Sequence, residues 1–261
     1  HYGFGVRASE FPYFGTGFCA LAHRGGSAAG AAIENSVAAF RSALDLGYTR
    51  LETDVHATSD GVLIAFHDER LDRVTDAHGA VADLPWSSVQ HARIAGLEPI
   101  PTMDELFDTF PQARFNIDIK SDAALAPLVE CITRHRAHDR ICVGSFSTPR
   151  IKEFRRQVGP RVATSVSPSG IVWYAFAVGG RRLYAPPGQA LQMPVRDEGT
   201  GLKVLSPGLI RAAHAAGRVV HVWTVNEPAE MHRLIDLGVD GLVSDETVAL
   251  RQVLVERGLW E

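Results

Sequence analysis

The stretch Thr49-Arg50-Leu51-Glu52-Thr53-Asp54-Val55 decides how the chain folds. Its length and its apolar and β-branched residues mark a strand, on which Glu52 and Asp54, two residues apart, project from one face. A core strand does not tolerate two such charges by itself. An unpaired buried carboxylate costs many kcal/mol, and two at about 4 Å repel by roughly 4 kcal/mol at an effective dielectric near 20. Phe115-Asn116-Ile117-Asp118-Ile119-Lys120 repeats the pattern, with Asn116, Asp118 and Lys120 on one face.

Working outward, short apolar runs alternate with helix-length amphipathic stretches. Strands are expected at Phe18–Ala22, Thr49–Val55, Arg114–Ile119, Ile141–Gly144, Arg161–Thr164, Gln189–Met193, Val219–Thr224 and Asp240–Val243. Helices are expected at Ser36–Leu46, Met103–Phe110, Ala123–His135, Pro149–Val158, Pro207–Ala216 and Ala229–Leu237. Asn35 reads as the N-cap of the first helix and Gly47 as its left-handed terminator. Strands that are continuously apolar are buried on both faces, as in a parallel sheet wrapped by helices. Eight such units in about 250 residues predict an α/β TIM (β/α)8 barrel. An open doubly wound sheet is the alternative, weakened because no GxGxxG follows the first strand. From about His56 to Ile100 the spacing exceeds a βα loop. That stretch, with its own strand Val62–Phe66 after the Asp60-Gly61 turn, reads as a small insertion after the second strand, at the C-terminal mouth. No linker divides residues 1–261, so one domain is expected.

Composition narrows the function. The 261 residues are 46% hydrophobic and 21% charged, with net charge −4, which argues against a nonspecific nucleic-acid binder. The longest apolar run, Ile171–Val178, is too short to span a membrane and reads as a buried helix or, less simply, an acyl-chain groove. No signal peptide is visible at His1-Tyr2-Gly3, although a chain without an initiating Met leaves a trimmed leader open. Cys19, Cys131 and Cys142 show no CxxC and no Cys/His ligand spacing; they read as reduced, buried thiols of a cytoplasmic protein.

Glu52, Asp54 and Asp118 form a hard, all-oxygen donor set that suits Mg²⁺ or Ca²⁺ rather than Zn²⁺. The competing reading is an internal ion-pair network among Glu52, Asp54, Asp118, Lys120 and Arg24. His23 follows the first strand and His67 follows the run Val62–Phe66, so both stand where barrel active sites are built. Such a pair can divide the roles of general acid and base. Arg24 offers a planar fork for a phosphate, and Gly25-Gly26 would let backbone N–H groups approach an anion. His56 shares the parity of Glu52 and Asp54 and could reach the site rim. His214, His221 and His232 fit helix or strand surfaces equally well. Trp223, with Thr224, could line the mouth as a stacking wall.

These motifs, taken in order, resemble the glycerophosphodiester phosphodiesterase family. They are His23-Arg24-Gly25 with Glu34-Asn35, Glu52-Thr53-Asp54-Val55, Thr58-x-Asp60-Gly61 and His67-Asp68-Glu69-x-Leu71-x-Arg73. Ile100-Pro101-Thr102, Val222-Trp223-Thr224-Val225-Asn226 and Gly238-Val239-Asp240-Gly241-Leu242-Val243-Ser244-Asp245 follow. The resemblance implies a barrel with a subdomain after the second strand. It implies a divalent metal on Glu52, Asp54 and the third-strand carboxylate, His23 and His67 as the acid/base pair, and Glu34 orienting Arg24. Asp118 departs from the pattern, which typically carries Glu there. The implied activity is hydrolysis of glycerophosphodiesters to glycerol 3-phosphate and an alcohol, with Arg24 and Lys120 on the phosphate. Two alternatives remain at this stage. One is a lysophospholipase D-like or sphingomyelinase D-like enzyme for lipid-tailed diesters, favoured by Ile171–Val178 and the aromatic segment Tyr2, Phe4, Phe11, Tyr13 and Phe14. The other is a non-catalytic barrel that binds anions.

Overall fold

Eight parallel strands alternate with helices in the computed structural model, which describes residues 6–28, 33–176, 186–196, 201 and 204–260. The strands are β1 (Cys19–Ala22), β2 (Arg50–Ala57), β3 (Arg114–Ile119), β4 (Ile141–Gly144), β5 (Ala163–Thr164), β6 (Ala190–Met193), β7 (Val219–Val222) and β8 (Gly241–Ser244). Apart from β5 and β6, each pairs with its sequence neighbours, and β8 returns beside β1. Between β5 and β6 the ring is drawn together by the parallel bridge Ser165–Ala190 and by two bonds, Gln189 N–H to the Thr164 carbonyl and Val166 N–H to the Ala190 carbonyl, both 2.7 Å. This is a TIM barrel, and the strand expectations hold to within a few residues at each end.

The period-2 pattern of β2 and β3 sorts their side chains as their sequences require. Leu51, Val55, Phe115, Ile117 and Ile119 join the main apolar core, while Glu52, Asp54, Asn116 and Asp118 face a cavity at the mouth. Outside the ring run α1 (Val37–Asp45), α2 (Met103–Thr109), α3 (Leu125–Arg134), α4 (Thr148–Val158), α5 (Pro168–Phe176), α6 (Pro207–Ala215), α7 (Pro228–Leu237) and α8 (Thr247–Glu256). Gly47, at φ +95°, ends α1 as expected. The N-cap expectation is corrected: Ser36 caps α1, its Oγ accepting from Ala39 N–H at 3.1 Å. Asn35 is left-handed at φ 60°, with its side chain engaged at the site.

The long segment after β2 has its own strand, Leu63–Ala65, antiparallel to the end of β2, and a separate small core of Ile64, Phe66, Leu71, Val81, Val89, Ala92, Ile94 and Ile100. At the opposite end, Phe11, Tyr13 and Phe14 pack against Cys142, Ala163 and Ala190 near the strand starts. They are part of the core and form no lipid-facing surface; Tyr2 and Phe4 lie outside the described residues. The described part of the run Ile171–Val178 is helical but only partly buried. Within α5, Tyr174 is buried but Val172 is 57% exposed and Ile171 only half-buried, while 177 and 178 lie outside the described residues. Among the described residues no helix is long and apolar enough to cross a membrane. All three cysteines are buried and free.

His221 on β7 is fully buried, a core residue and not a surface one. Its Nδ1 lies 3.4 Å from Gln192 Nε2, which donates, and its ring faces Phe14. Burial, then the nearby Arg50 charge, push its pKa down to about 3. The unfolded chain takes up a proton near pH 6.5 that the native state refuses, so stability is lost as pH falls from about 6.5 towards 3. His221→Gln is expected to flatten the fall of Tm between about pH 6 and pH 4 by removing this slope, about 1.4 kcal/mol per pH unit at most. Parallel melting curves of the two proteins check this; identical slopes would remove His221 from the acid response.

Candidate active site

Register makes the centre of the site. β2 and β3 pair so that Asp54 stands beside Asp118 and Glu52 beside Asn116, at the C-terminal ends of the strands. One residue beyond β3, Lys120 N–H still bonds the Val55 carbonyl, and its side chain turns between the two aspartates. Its Nζ lies 2.7 Å from Asp118 Oδ2 and 2.9 Å from Asp54 Oδ1. Arg24 Nε reaches Asp54 Oδ2 at 3.2 Å, and Asn35 Nδ2 donates to the same oxygen at 3.3 Å. Burial opposes ionisation of Asp54, but the Lys120 and Arg24 charges prevail and hold its pKa below the usual carboxylate range. Burial also opposes the charge on Lys120, and here Asp118 and Asp54 outweigh it and raise its pKa.

Glu52 receives less help. Its Oε2 accepts from the Arg24 backbone N–H at 3.1 Å and stands 3.8 Å from His23 Nε2. Burial, then the Asp54 charge, push its pKa up to about 7. Asp118 is likewise raised, by burial that exceeds the Lys120 attraction. The ion-pair network therefore stands among Arg24, Lys120, Asp54 and Asp118, with Glu52 at its edge. Among the described residues, Glu52, Asp54 and Asp118 do not bring one oxygen each within 4.8 Å of one another.

Two histidines flank these carboxylates, and each is held by an acid. His23 lies in a single 3₁₀ turn after β1, and its Nδ1 is 2.6 Å from Asp245 Oδ1. Asp245 is fixed in turn by Asn226, whose Nδ2 donates to Oδ2 at 2.9 Å and whose Oδ1 accepts from Asp245 N–H at 3.0 Å. Burial pulls the His23 pKa down, but the Asp245 bond and the Glu52 charge more than offset it, and the pKa is raised. His67, beyond the inserted strand, has Nδ1 2.6 Å from Asp68 Oδ1. The Arg73 guanidinium, aided by His67, overcomes burial and brings the Asp68 carboxyl down to about 2. Arg73 also grips Glu34, which accepts from Arg24 Nη1 at 3.1 Å, as the orienting role implies. His56 is buried beside the site, donating from Nε2 to the His67 carbonyl at 3.1 Å.

Of the two glycines after Arg24, Gly26 has its amide engaged within the turn. Gly26 N–H bonds the His23 carbonyl at 2.8 Å. A Cβ on Gly25 would come within 2.6 Å of Ala39 Cβ, and one on Gly26 within 2.3 Å of Thr247 Cγ2, at φ +91° and +76°. They permit close packing of the turn on α1 and α8. The cavity, about 600 Å³, has one charged wall (His23, Arg24, Glu52, Asp54, Asp118, Lys120) and one apolar wall that includes Phe146, Val172, Met193 and Trp223. Trp223 lies past the end of β7, edge-on to Phe146 with ring centres 5.5 Å apart, and Lys120 Nζ stands 5.3 Å over the Phe146 ring.

Four participants carry roles that the sequence did not assign. Asn35 stands in the Glu34-Asn35 motif but reads by itself as a helix cap, and Phe146 carries no pattern at all. Asp245 and Asn226 end or follow strands as His23 does, and that shared position was the available signal.

The profile of the glycerophosphoryl diester phosphodiesterase family matches residues 23–249. The chain is 40% identical over 262 residues, covering 98% of both proteins, to a Mycobacterium tuberculosis protein named "Probable glycerophosphodiester phosphodiesterase 2". It is 30% identical over 253 residues, covering 91% of this chain and 98% of the relative, to a glycerophosphodiester phosphodiesterase of Caldanaerobacter subterraneus. A solved Oleispira antarctica phosphodiesterase, in complex with the product sn-glycerol-3-phosphate, superposes with a TM-score of 0.74. It is 23% identical, with coverage of 90% of this chain and 96% of that one.

The His23–Asp245 pair yields a direct measurement. Asp245→Asn keeps the shape and removes the charge, so the His23 imidazole is expected to titrate at lower pH than in the unaltered protein. Imidazole NMR titration of the two proteins checks this, and an unmoved midpoint would deny the carboxylate its supporting role.

Proposed function

The chain belongs to the glycerophosphoryl diester phosphodiesterase family, and from that premise we propose that it hydrolyses glycerophosphodiesters to sn-glycerol 3-phosphate and an alcohol by metal-assisted, two-histidine catalysis. The observation that carries this reading is the pair of histidines, each committed through Nδ1 to a carboxylate at 2.6 Å, on either side of one carboxylate cluster. With Nδ1 so engaged, Nε2 is the proton-transfer atom on each ring. One histidine takes the proton of the attacking hydroxyl or water, and the other gives a proton to the departing alkoxide. Arg24 and Lys120 balance the negative charge of the phosphate oxygens.

The chemistry of the donor set, rather than its present spacing, suits a divalent cation. A buried Glu52 whose pKa reaches about 7 is a carboxylate that the resident cations leave under-compensated, and its neighbours are hard oxygen donors. Glu52, Asp54 and Asp118 would hold Mg²⁺ or Ca²⁺. When bound, the ion supplies further positive charge for the phosphoryl oxygens. Trp223 and Phe146 then form the wall for the alcohol portion. That apolar wall also favours a second reading, a lysophospholipase D-like action on lipid-tailed diesters; it stands behind the first because the 40% identical relative carries the glycerophosphodiester name. Turnover of glycerophosphocholine against lysophosphatidylcholine separates them, and faster turnover of the lipid would reverse the order.

Chelation is expected to abolish hydrolysis and added Mg²⁺ or Ca²⁺ to restore it; full activity in a verified metal-free preparation would end the metal assignment. His23→Ala and His67→Ala are each expected to lower kcat by at least about 100-fold with little change in Tm. Steady-state kinetics beside melting curves check this, and near-native turnover in either variant would remove that histidine from the acid/base pair.

A further inference from the structure

Away from the barrel mouth, three side chains from two neighbouring helices converge. Asp104 lies in the first turn of α2, while Cys131 on α3 and His135 at its C-cap are one helical turn apart. Cys131 Sγ is 3.6 Å from Asp104 Oδ1, and His135 Nε2 is 2.6 Å from the same oxygen. One ligand atom from each lies within 4.8 Å of the others, and among the described residues this group is alone in doing so. We propose that Asp104, Cys131 and His135 form a site for a borderline-soft transition-metal dication such as Zn²⁺, distinct from the oxygen donors at the mouth, which ties α2 to α3.

The donor chemistry supports this assignment. A thiolate, an imidazole and a carboxylate are the ligand types that Zn²⁺ takes, and their summed charge of −2 equals that of the ion with opposite sign. The second observation is Asp108, one turn after Asp104, whose Oδ1 stands 3.3 Å from His135 Nδ1. With an ion bound, a carboxylate on the far ring nitrogen would hold the proton on Nδ1 and leave Nε2 to the metal, the usual arrangement around a metal-bound histidine. Binding releases two protons to solvent, that of the Cys131 thiol and the one His135 Nε2 donates to Asp104 Oδ1, and displaces the Arg134 Nε and Nη2 donors, at 3.0 and 2.8 Å, from that oxygen; Arg134 Nη2 keeps its bond to Oδ2 at 2.9 Å. The other two cysteines sit in apolar clusters with no such partners. Cys131 and His135 are four residues apart, a one-turn Cys/His spacing that the expectation of no Cys/His ligand spacing passed over; the third residue is 27 positions from Cys131 and invisible to a local motif.

The experiment titrates the whole protein with Co²⁺ in saturating Mg²⁺, which occupies the oxygen donors at the mouth, and follows thiolate-to-metal charge-transfer absorption. A band saturating at one Co²⁺ per chain is expected, absent in Cys131→Ser and at least about tenfold weaker in affinity in His135→Ala. Melting curves without and with Zn²⁺ should show a rise in Tm for the unaltered chain and none for Cys131→Ser. No charge-transfer band, or an equal Zn²⁺-dependent rise in both proteins, would overturn the proposal and leave Asp104 as a hydrogen-bonding hub between helices. His135→Ala keeps the test decisive should Cys131→Ser fold poorly, because unchanged Co²⁺ affinity in that variant would also overturn it.

Discussion

The parallel pairing of β2 with β3 imposes the condition that the rest of the mouth must meet. It sets Asp54 against Asp118, with Glu52 one step below, in a place where water is largely excluded. Charges so placed must be compensated or neutralised. Lys120 answers for the two aspartates from the end of the same strand pair, and Arg24 from the turn after β1. Breaking a buried arrangement of this kind from one side costs several kcal/mol, because it strands the partner. The consequence reaches back into the fold. Arg24 adopts a left-handed backbone at φ 51° and is anchored through Glu34, Arg73 and Asp68 to the inserted segment.

That chain of ion pairs unites the two histidines. His67 sits on the insertion and His23 on the barrel, and Asp68, Arg73 and Glu34 link His67 to Arg24, the residue that follows His23 in the chain. The insertion has its own small core and contributes to the barrel mouth through this polar seam and the strand Leu63–Ala65. Its job is positional: it places the His67 imidazole across the carboxylate cluster from that of His23, which stands in the turn after β1. Asn226 and Asp245, beyond the ends of β7 and β8, do the corresponding work for His23. Each ring thereby has its tautomer set by a carboxylate that is itself held in place.

Much of this was legible because strand periodicity is local. Two-residue alternation in Arg50–Val55 and Arg114–Lys120 placed the charges on one face before any partner was known, and the repeating βα rhythm named the barrel. Positions following strands marked His23 and His67. Local rules failed where a side chain had competing uses. Asn35 has the chemistry of an N-cap, but Ser36 takes that role because the Asn35 amide is wanted by Asp54. Ile171 and Val172 look like core by composition and instead line the cavity, since hydropathy does not say which face of a helix the sheet will cover. His221 resembles a surface histidine and is fully buried, a matter of barrel parity and of Phe14 closing the far end.

By itself the sequence determined the succession of elements, the face on which each strand carries its carboxylates, and the residue types available for phosphodiester chemistry. These follow from backbone geometry, which repeats every two or 3.6 residues and needs no knowledge of distant segments. Only the tertiary structure decided which charge answers which. The engagement of Lys120 with both aspartates, the Asp245 partner of His23 across 222 positions, and the meeting of Asp104 with Cys131 and His135 depend on register between strands and helices far apart in the chain. Electrostatic compensation acts through space over a few ångströms, so it is settled where the fold brings groups together and nowhere earlier.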